Sequence, residues 1–285
     1  MDNRRSFLTS VAGSLAGSLV IQRISFSSNA FYNSVALISD THIHNDWNNS
    51  YRGFTPSRNL ESIVPQIISS NAQVAFLCGD AARANGQKGD YENLKQLVAP
   101  IAKKMPLHIA LGNHDDRANF MSVFGSSNIA TLGSKKHVTV ADLGPQRWIV
   151  LDSLMYVDKV PGFLGQEQRD WLVETLKEDS KPTVLMVHHT LGDGDGDLLD
   201  TERLLAICDK HSHVKAVMFG HSHRWSVVRK GNLSWINLPA IGYNFADNEP
   251  VGWVYAELTG SEIKLIPRCI GGNLEFHDKP TVVTF

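Results

Sequence analysis

Five short segments carry side chains able to hold a metal ion: Asp40-Thr41-His42, Gly79-Asp80, Gly112-Asn113-His114-Asp115, His188-His189 and Gly220-His221-Ser222-His223. If Asp40 and His42 continue an extended strand, they point the same way, and His221 and His223 repeat that logic with two imidazoles. The glycine before Asp80 permits a tight turn and close approach to the carboxylate. Asp40, His42, Asp80, Asn113, His188, His221 and His223 together offer four imidazole nitrogens and three oxygens. One four-coordinate ion does not need seven donors. Two ions sharing Asp80 as a bridge do, with water completing each shell. Two ions held about 3.5–4 Å apart are a known arrangement for displacement at phosphorus. Donors of this kind, without thiolate, admit Fe, Mn, Zn or Co.

The elements that must position these residues can be read from the runs before them. Val35–Ser39 stops at Asp40, Val74–Cys78 at Gly79-Asp80, and Leu107–Leu111 at Gly112. Trp148–Leu151 stops at Asp152, Val184–Val187 at His188, and Ala216–Phe219 at Gly220. Apolar runs this short, rich in β-branched residues, suit strands buried on both faces. Helical patterns over residues 60–70, 91–101, 166–178 and 200–210 lie between several of them, and such alternation predicts an α/β fold. In α/β sheets the crevice beyond the carboxyl ends of the strands is where ligands bind. After Trp225 the pattern turns to hairpins around Lys230-Gly231-Asn232 and Thr259-Gly260-Ser261. With no internal repeat and no long linker, residues 31–285 read as one domain.

In this order the five segments resemble the calcineurin-like metallophosphoesterase superfamily, whose pattern runs DxH, GD, GNH(D/E), H, GHxH. The resemblance covers roughly residues 35–225. It implies an αββα four-layer sandwich of mixed sheets, with a dinuclear metal site at the strand ends. It implies a first ion on Asp40, His42, Asp80 and His223, and a second on Asp80, Asn113, His188 and His221. It further implies a hydroxide attacking phosphorus in line and His114 protonating the leaving alkoxide. Asp115 would orient His114 or support the ligands from behind. Leu151-Asp152-Ser153, Gly165-Gln166-Glu167-Gln168 with Trp171-Leu172, and the His188-His189 pair resemble the cyclic nucleotide phosphodiesterase and glycerophosphodiesterase branch. Thr190 stands where that branch commonly has proline, and Arg83 where a carboxylate often stands. Arg83 and His189 are therefore the expected substrate-binding residues. A small phosphodiester is the expected substrate, and a phosphomonoesterase on the same fold the alternative. A binding module that has lost catalysis would lack ligands, and here the full set is present.

The remaining signals are weaker. Lys plus Arg number 27 and Asp plus Glu 29 in 285 residues, a net charge of −2 that does not suit an electrostatic nucleic-acid binder. Arg4-Arg5-Ser6-Phe7-Leu8 heads a weakly apolar run and resembles a Tat export signal, with small residues before a cleavage point after Ala30. Cleavage there takes away three Arg and one Asp and leaves a net charge of −4. The expected partner is the Tat machinery and the expected location the periplasm. The alternatives are a disordered tail or an uncleaved anchor, since the uncharged stretch from Ser6 to Gln22 has 17 residues, the short limit for a span. Cys78, Cys208 and Cys269 form no CxxC pair, and a disulfide framework is not expected. His44 is expected to support ligands or touch substrate, His108 to sit in the core. The Asp193-Gly194-Asp195-Gly196-Asp197 run lacks EF-hand spacing and reads as an acidic loop at the site mouth. Trp47, Tyr51 and Phe54 read as packing residues, and Asn244 and Phe245 as residues bordering the pocket.

Overall fold

The computed structural model describes residues 31–125, 130–132 and 136–285. Residues 1–30, the segment expected to be a Tat signal, lie outside them. In chain order the elements are β1 (Ser34–Ile38), α1 (Pro56–Ser69), β2 (Val74–Cys78), α2 (Lys88–Lys104), β3 (Leu107–Ala110), α3 (Arg117–Phe124), β4 (Ala130–Thr131), β5 (His137–Asp142) and β6 (Arg147–Val150). They continue with α4 (Gln166–Lys177), β7 (Thr183–Met186), α5 (Thr201–Lys210), β8 (Val214–Phe219), β9 (Ser226–Lys230), β10 (Leu233–Asn237), β11 (Pro250–Leu258), β12 (Glu262–Gly272) and β13 (Thr281–Thr284).

Two mixed sheets result, in the orders β13-β12-β11-β1-β2-β3 and β4-β5-β6-β7-β8-β10-β9. Strands β1, β2 and β3 run parallel, as do β6, β7, β8 and β10, while the C-terminal strands add antiparallel edges. Side chains alternate across a strand, and here both faces are apolar. Val35 and Leu37 of β1, Val74 and Phe76 of β2, Trp148 and Val150 of β6, and Val184 and Met186 of β7 meet between the sheets. Phe76 and Trp148 join the two layers, ring centroids 4.9 Å apart. The residues between them face outward. Ala36, Ile38, Ala75 and Leu77 pack under α1 and α2. Ile149, Leu185, Leu151 and Val187 pack under α4 and α5. The layers are therefore helix, sheet, sheet, helix, as expected.

Three differences from the sequence reading have simple causes. The short α3 has one fully buried residue, Phe120, so it shows no apolar stripe. The helix α2 starts at Lys88 rather than Tyr91, because Gln87 and Asp90 close a capping box ahead of the apolar pattern. Strands β5 and β13 are edge or near-edge strands, and β13 has a single buried residue, Val283. Cys78, Cys208 and Cys269 are free and buried.

Candidate metal centre

The ends of β1, β2, β3, β7 and β8 bring the seven expected donors into one buried cluster. Three groups of donor atoms lie within metal-binding reach: Asp40, His42 and His223; His42, Asp80 and His114; and Asp80, His188 and His221. Asp80 Oδ2 stands 3.3 Å from His188 Nε2, 3.7 Å from His42 Nε2 and 4.0 Å from His114 Nε2. His223 Nε2 is 3.1 Å from His42 Nε2 and 3.4 Å from Asp40 Oδ1.

The backbone is bent to achieve this. Eight described non-glycine residues have positive φ, and five are Asp40 (51°), His42 (46°), Asp80 (48°), His221 (66°) and His223 (54°). The extended DxH and HxH segments expected from the sequence are not present: each pair turns through left-handed residues instead. Such a residue costs about 1–3 kcal/mol and persists where the surroundings enforce it, typically at functional sites. The strand-tip glycines leave room for the carboxylates. A Cβ on Gly112 would meet Asp80 Oδ1, and one on Gly220 would meet Asp40 Oδ2 and Ser39 Oγ.

Backbone carbonyls fix the imidazoles. His188 Nδ1 bonds to the Cys78 carbonyl at 2.7 Å, His223 Nδ1 to that of Tyr243 at 2.5 Å, and His42 Nδ1 to that of Arg83 at 3.3 Å. Each contact holds the proton on Nδ1 and turns the Nε2 lone pair into the cluster, the usual support of a metal-binding histidine. The buried Asn113 Oδ1 has no hydrogen-bond partner, and His188 Nε2 faces only the Asp80 carboxylate, at 3.3 Å. A buried polar atom left so is costly unless something else binds it. With five further donors around them (Asp40, His42, Asp80, His221 and His223), the residues fit a pair of transition-metal ions.

Electrostatics agree. Burial drives His42 down to about 3 and His221 to about 4, so both are neutral and able to ligate. Burial would lower His188 too, but the Asp80 carboxylate prevails and lifts it to about 9. Asp80 itself, in spite of burial, is held well below the usual carboxylate range by His188.

The sequence profile of the calcineurin-like phosphoesterases matches residues 34–225, which span all five segments. The chain belongs to the calcineurin-like phosphoesterase family. Its relatives include a "probable cyclic nucleotide phosphodiesterase" of Synechococcus, 29% identical over 82% of this chain and 90% of that protein. A 3′,5′-cyclic-nucleotide phosphodiesterase of Nostoc is 23% identical over 80% and 85%. A glycerophosphodiester phosphodiesterase of Enterobacter lignolyticus is 25% identical over 76% and 81%. Among solved structures, a dimetal phosphatase of Danio rerio superposes with a TM-score of 0.71 at 14% identity, covering 89% of this chain and 99% of that one. That likeness shows the fold.

The donors border a cleft of ≈ 220 Å³, lined by His42, Asp80, Asn113, His114, Val160, His221, His223, Tyr243 and Phe245. Asp40 and His188, both wholly buried, lie beneath it. His114 is the partly exposed histidine beside Asp80. Its backbone N–H donates to Asp80 Oδ1 at 2.9 Å, and its Nδ1 contacts the Ala84 carbonyl at 2.7 Å.

Three further expected site residues surround the cluster. Asp115 supports the loops from behind: it accepts from the backbone N–H groups of Gly112 (2.8 Å), Ala81 (3.2 Å) and Ala82 (3.0 Å) and from Tyr91 Oη (3.0 Å). It thereby ties the Asp80 loop to the Asn113 loop, and no hydrogen bond joins it to the His114 ring among the described residues. His189 is fully buried, its Nδ1 2.6 Å from Ser153 Oγ and its ring packed on His188 and His221. It backs the ligands rather than lining the cleft. Arg83 lies at the rim, its guanidinium 4.6 Å from the Tyr51 ring centre. His44 shapes a turn by accepting from the Asp46 N–H, outside the cluster. His108 is buried and stacked on Phe76, as expected of a core residue. Tyr243 was not legible as a site residue. Its ring packs on both His42 and His223, at 4.8 and 4.7 Å, from a loop without any motif.

Proposed function

We propose that the chain is a metal-dependent phosphodiesterase acting on small substrates. The observation that carries this reading is Asp80, whose carboxylate belongs to two adjoining groups of donor atoms, one with His42 and His114 and the other with His188 and His221. The first ion is assigned to Asp40, His42, Asp80 and His223, and the second to Asp80, Asn113, His188 and His221. When bound, two such ions offset the phosphate charge and bring the pKa of water near neutrality, so that hydroxide is available to attack phosphorus. The chain's own residues do the rest. The Nδ1 anchors on Cys78, Arg83 and Tyr243 carbonyls hold the ligand rings. Asp115 keeps the two loops in register. His114, held by Ala84 at Nδ1, presents Nε2 to the cleft and gives its proton to the leaving oxygen. Burial raises the Tyr243 hydroxyl above its ordinary range, so it stays protonated beside the cleft. Val160, Tyr243 and Phe245 give the cleft apolar walls suited to a second ester substituent, which favours a diester over a monoester. The names of the relatives, cyclic nucleotide and glycerophosphodiester phosphodiesterases, support the same choice.

The test is ³¹P NMR of the manganese-loaded protein with a 3′,5′-cyclic nucleotide and with a glycerophosphodiester. Conversion of either to a monoester supports the reading. Loss of neither diester signal contradicts it.

We also propose that residues 1–30 direct export through the Tat machinery to the periplasm, cleaved or retained as an anchor. The support is Arg4-Arg5 ahead of an uncharged run. The Arg4→Lys, Arg5→Lys double variant should stay in the cytoplasm, and its normal export would contradict the assignment.

A further inference from the structure

The cleft wall on the His42 and His223 side continues outward as a stack of aromatic rings and guanidinium groups. Phe245 stacks on His223 at 4.3 Å. Arg52 lies over Phe245 at 5.2 Å and over Tyr51 at 5.7 Å. Arg83 lies over Tyr51 at 4.6 Å and over Tyr243 at 5.6 Å, and Tyr243 in turn packs on His42. Two arginines therefore share one tyrosine ring, at the rim of a site that handles phosphate.

Neither arginine is neutralised. Arg58, Arg117, Arg147, Arg169 and Arg268 each meet a carboxylate. Among the described residues, Arg52 and Arg83 meet none, nor do Arg203, Arg224 and Arg229; Arg52 and Arg83 are the two that pack on the aromatic rings of the cleft wall. Arg52 Nη1 donates to the Phe245 carbonyl at 3.2 Å, and Arg83 Nε to Asn49 Oδ1 at 3.4 Å. These bonds and the rings fix both groups while leaving other N–H edges open. Two guanidinium groups, each near the Tyr51 ring at 5.7 and 4.6 Å and each without a carboxylate, suit an anion with several acceptor oxygens.

The backbone points the same way. Tyr51 and Phe54 exchange backbone hydrogen bonds of 2.9 and 3.0 Å around a two-residue turn, Arg52-Gly53, with φ of 52° and 81°. Asn or Asp is the usual first residue of such a turn. An arginine there bears backbone strain, and its side chain lies over Phe245. Across the cleft the charge reverses: the loop carrying Asp193 and Asp195 reaches Gly196, whose neighbours are Val160 and His221. A cleft basic on one side and acidic on the other orients an anionic substrate that is itself lopsided.

We propose that Arg52 and Arg83 form a subsite for a second anionic group, a phosphate on the substrate beyond the diester that is cleaved. This rests on the phosphodiesterase reading and narrows it. The preferred substrate is a diester with a further phosphomonoester on one substituent. The bond broken is still the one between phosphorus and the leaving oxygen, with water supplying the new oxygen.

The experiment uses the manganese-loaded protein and two chromogenic diesters differing in one group: thymidine 5′-(p-nitrophenyl phosphate) with and without a 3′-phosphate. The expected kcat/KM is about tenfold higher for the 3′-phosphorylated compound. The ratio should shrink with added salt, as exposed charges are screened. It should fall to about one in Arg52→Gln and in Arg83→Gln, and survive in part in Arg52→Lys. Equal rates for the two compounds in the parent protein overturn the subsite, as does an unchanged ratio in both glutamine variants. Calorimetry of thymidine 3′,5′-bisphosphate against thymidine 5′-monophosphate asks the same question without turnover. About tenfold tighter binding of the bisphosphate, lost in Arg52→Gln, supports the subsite, and equal affinities overturn it. Absence of p-nitrophenolate from both diesters would count against the phosphodiesterase reading alone and leave calorimetry to judge the subsite.

Discussion

Asp80 Oδ2 lies 3.3 Å from the Nε2 of His188, and the same oxygen faces His42 at 3.7 Å. One carboxylate thus stands between two histidines that belong to different donor groups. If Asp80 bridges two ions, its removal empties both positions. Asp80→Ala should purify with neither ion, as read by elemental analysis after manganese loading. Two ions per chain in that variant would contradict the bridge.

His114 is placed differently from the ligands. It is partly exposed, and its Nε2 is 4.0 Å from Asp80 Oδ2 at the cleft surface. A proton donor there matters most when the leaving group is a poor one. His114→Ala should keep both ions and lose about 10²–10⁴-fold in turnover on an alkyl diester. The loss should be much smaller with a p-nitrophenyl leaving group, which departs without a proton. Loss of metal, or equal losses on both substrates, would contradict the assignment.

Proton and metal compete at His188. With Asp80 beside it, His188 is raised to about 9 in spite of its burial, so in the metal-free protein it is cationic below that pH. His42 and His221, lowered to about 3 and 4 by burial, are already neutral and need not release a proton to ligate. An ion taking the His188 Nε2 lone pair must expel its proton. Affinity for that ion should therefore rise about tenfold per pH unit up to about 9 and then level off. Calorimetry at pH 6 in buffers of different ionisation enthalpy should show one proton released for this ion. Release of none would contradict the pairing of His188 with Asp80.

Gly220 is needed because Asp40 lies against it. A methyl group there would meet Asp40 Oδ2 and Ser39 Oγ. Gly220→Ala should weaken the ion held by Asp40, His42 and His223 by tenfold or more, and leave the other ion nearly unchanged. Gly260, with nothing within 4 Å of an added Cβ, is the control. Equal metal affinity in Gly220→Ala and Gly260→Ala would show that the close approach has no consequence.

Much of this was legible in the sequence because the parallel strands are buried on both faces. Val35–Ile38 and Val184–Val187 are continuous apolar runs, and the polar residue ending each run marks a strand tip. The conformation at those tips was not legible. Asp40, His42, His221 and His223 bend into the left-handed region, which residue types other than glycine rarely signal. Position relative to the cleft was not legible either. His189 sits beside an expected ligand in the chain, yet its side chain turns behind the cluster; of the two roles expected of Asp115, its hydrogen bonds are those of support from behind. Tyr51 and Tyr243, far apart in sequence, meet with rings 4.8 Å apart, and neither lies in a motif. Tyr51 is half exposed at the rim, while Trp47 is partly buried and packs against the core cluster beneath α1 and α2.

The central claim is that this cluster hydrolyses phosphodiesters. It is tested most directly with chain 31–285 in Mn²⁺, comparing bis(p-nitrophenyl) phosphate with p-nitrophenyl phosphate. A higher kcat/KM for the diester, abolished in Asp80→Ala, is the result predicted. A higher kcat/KM for the monoester would contradict the phosphodiesterase assignment and make the chain a phosphatase.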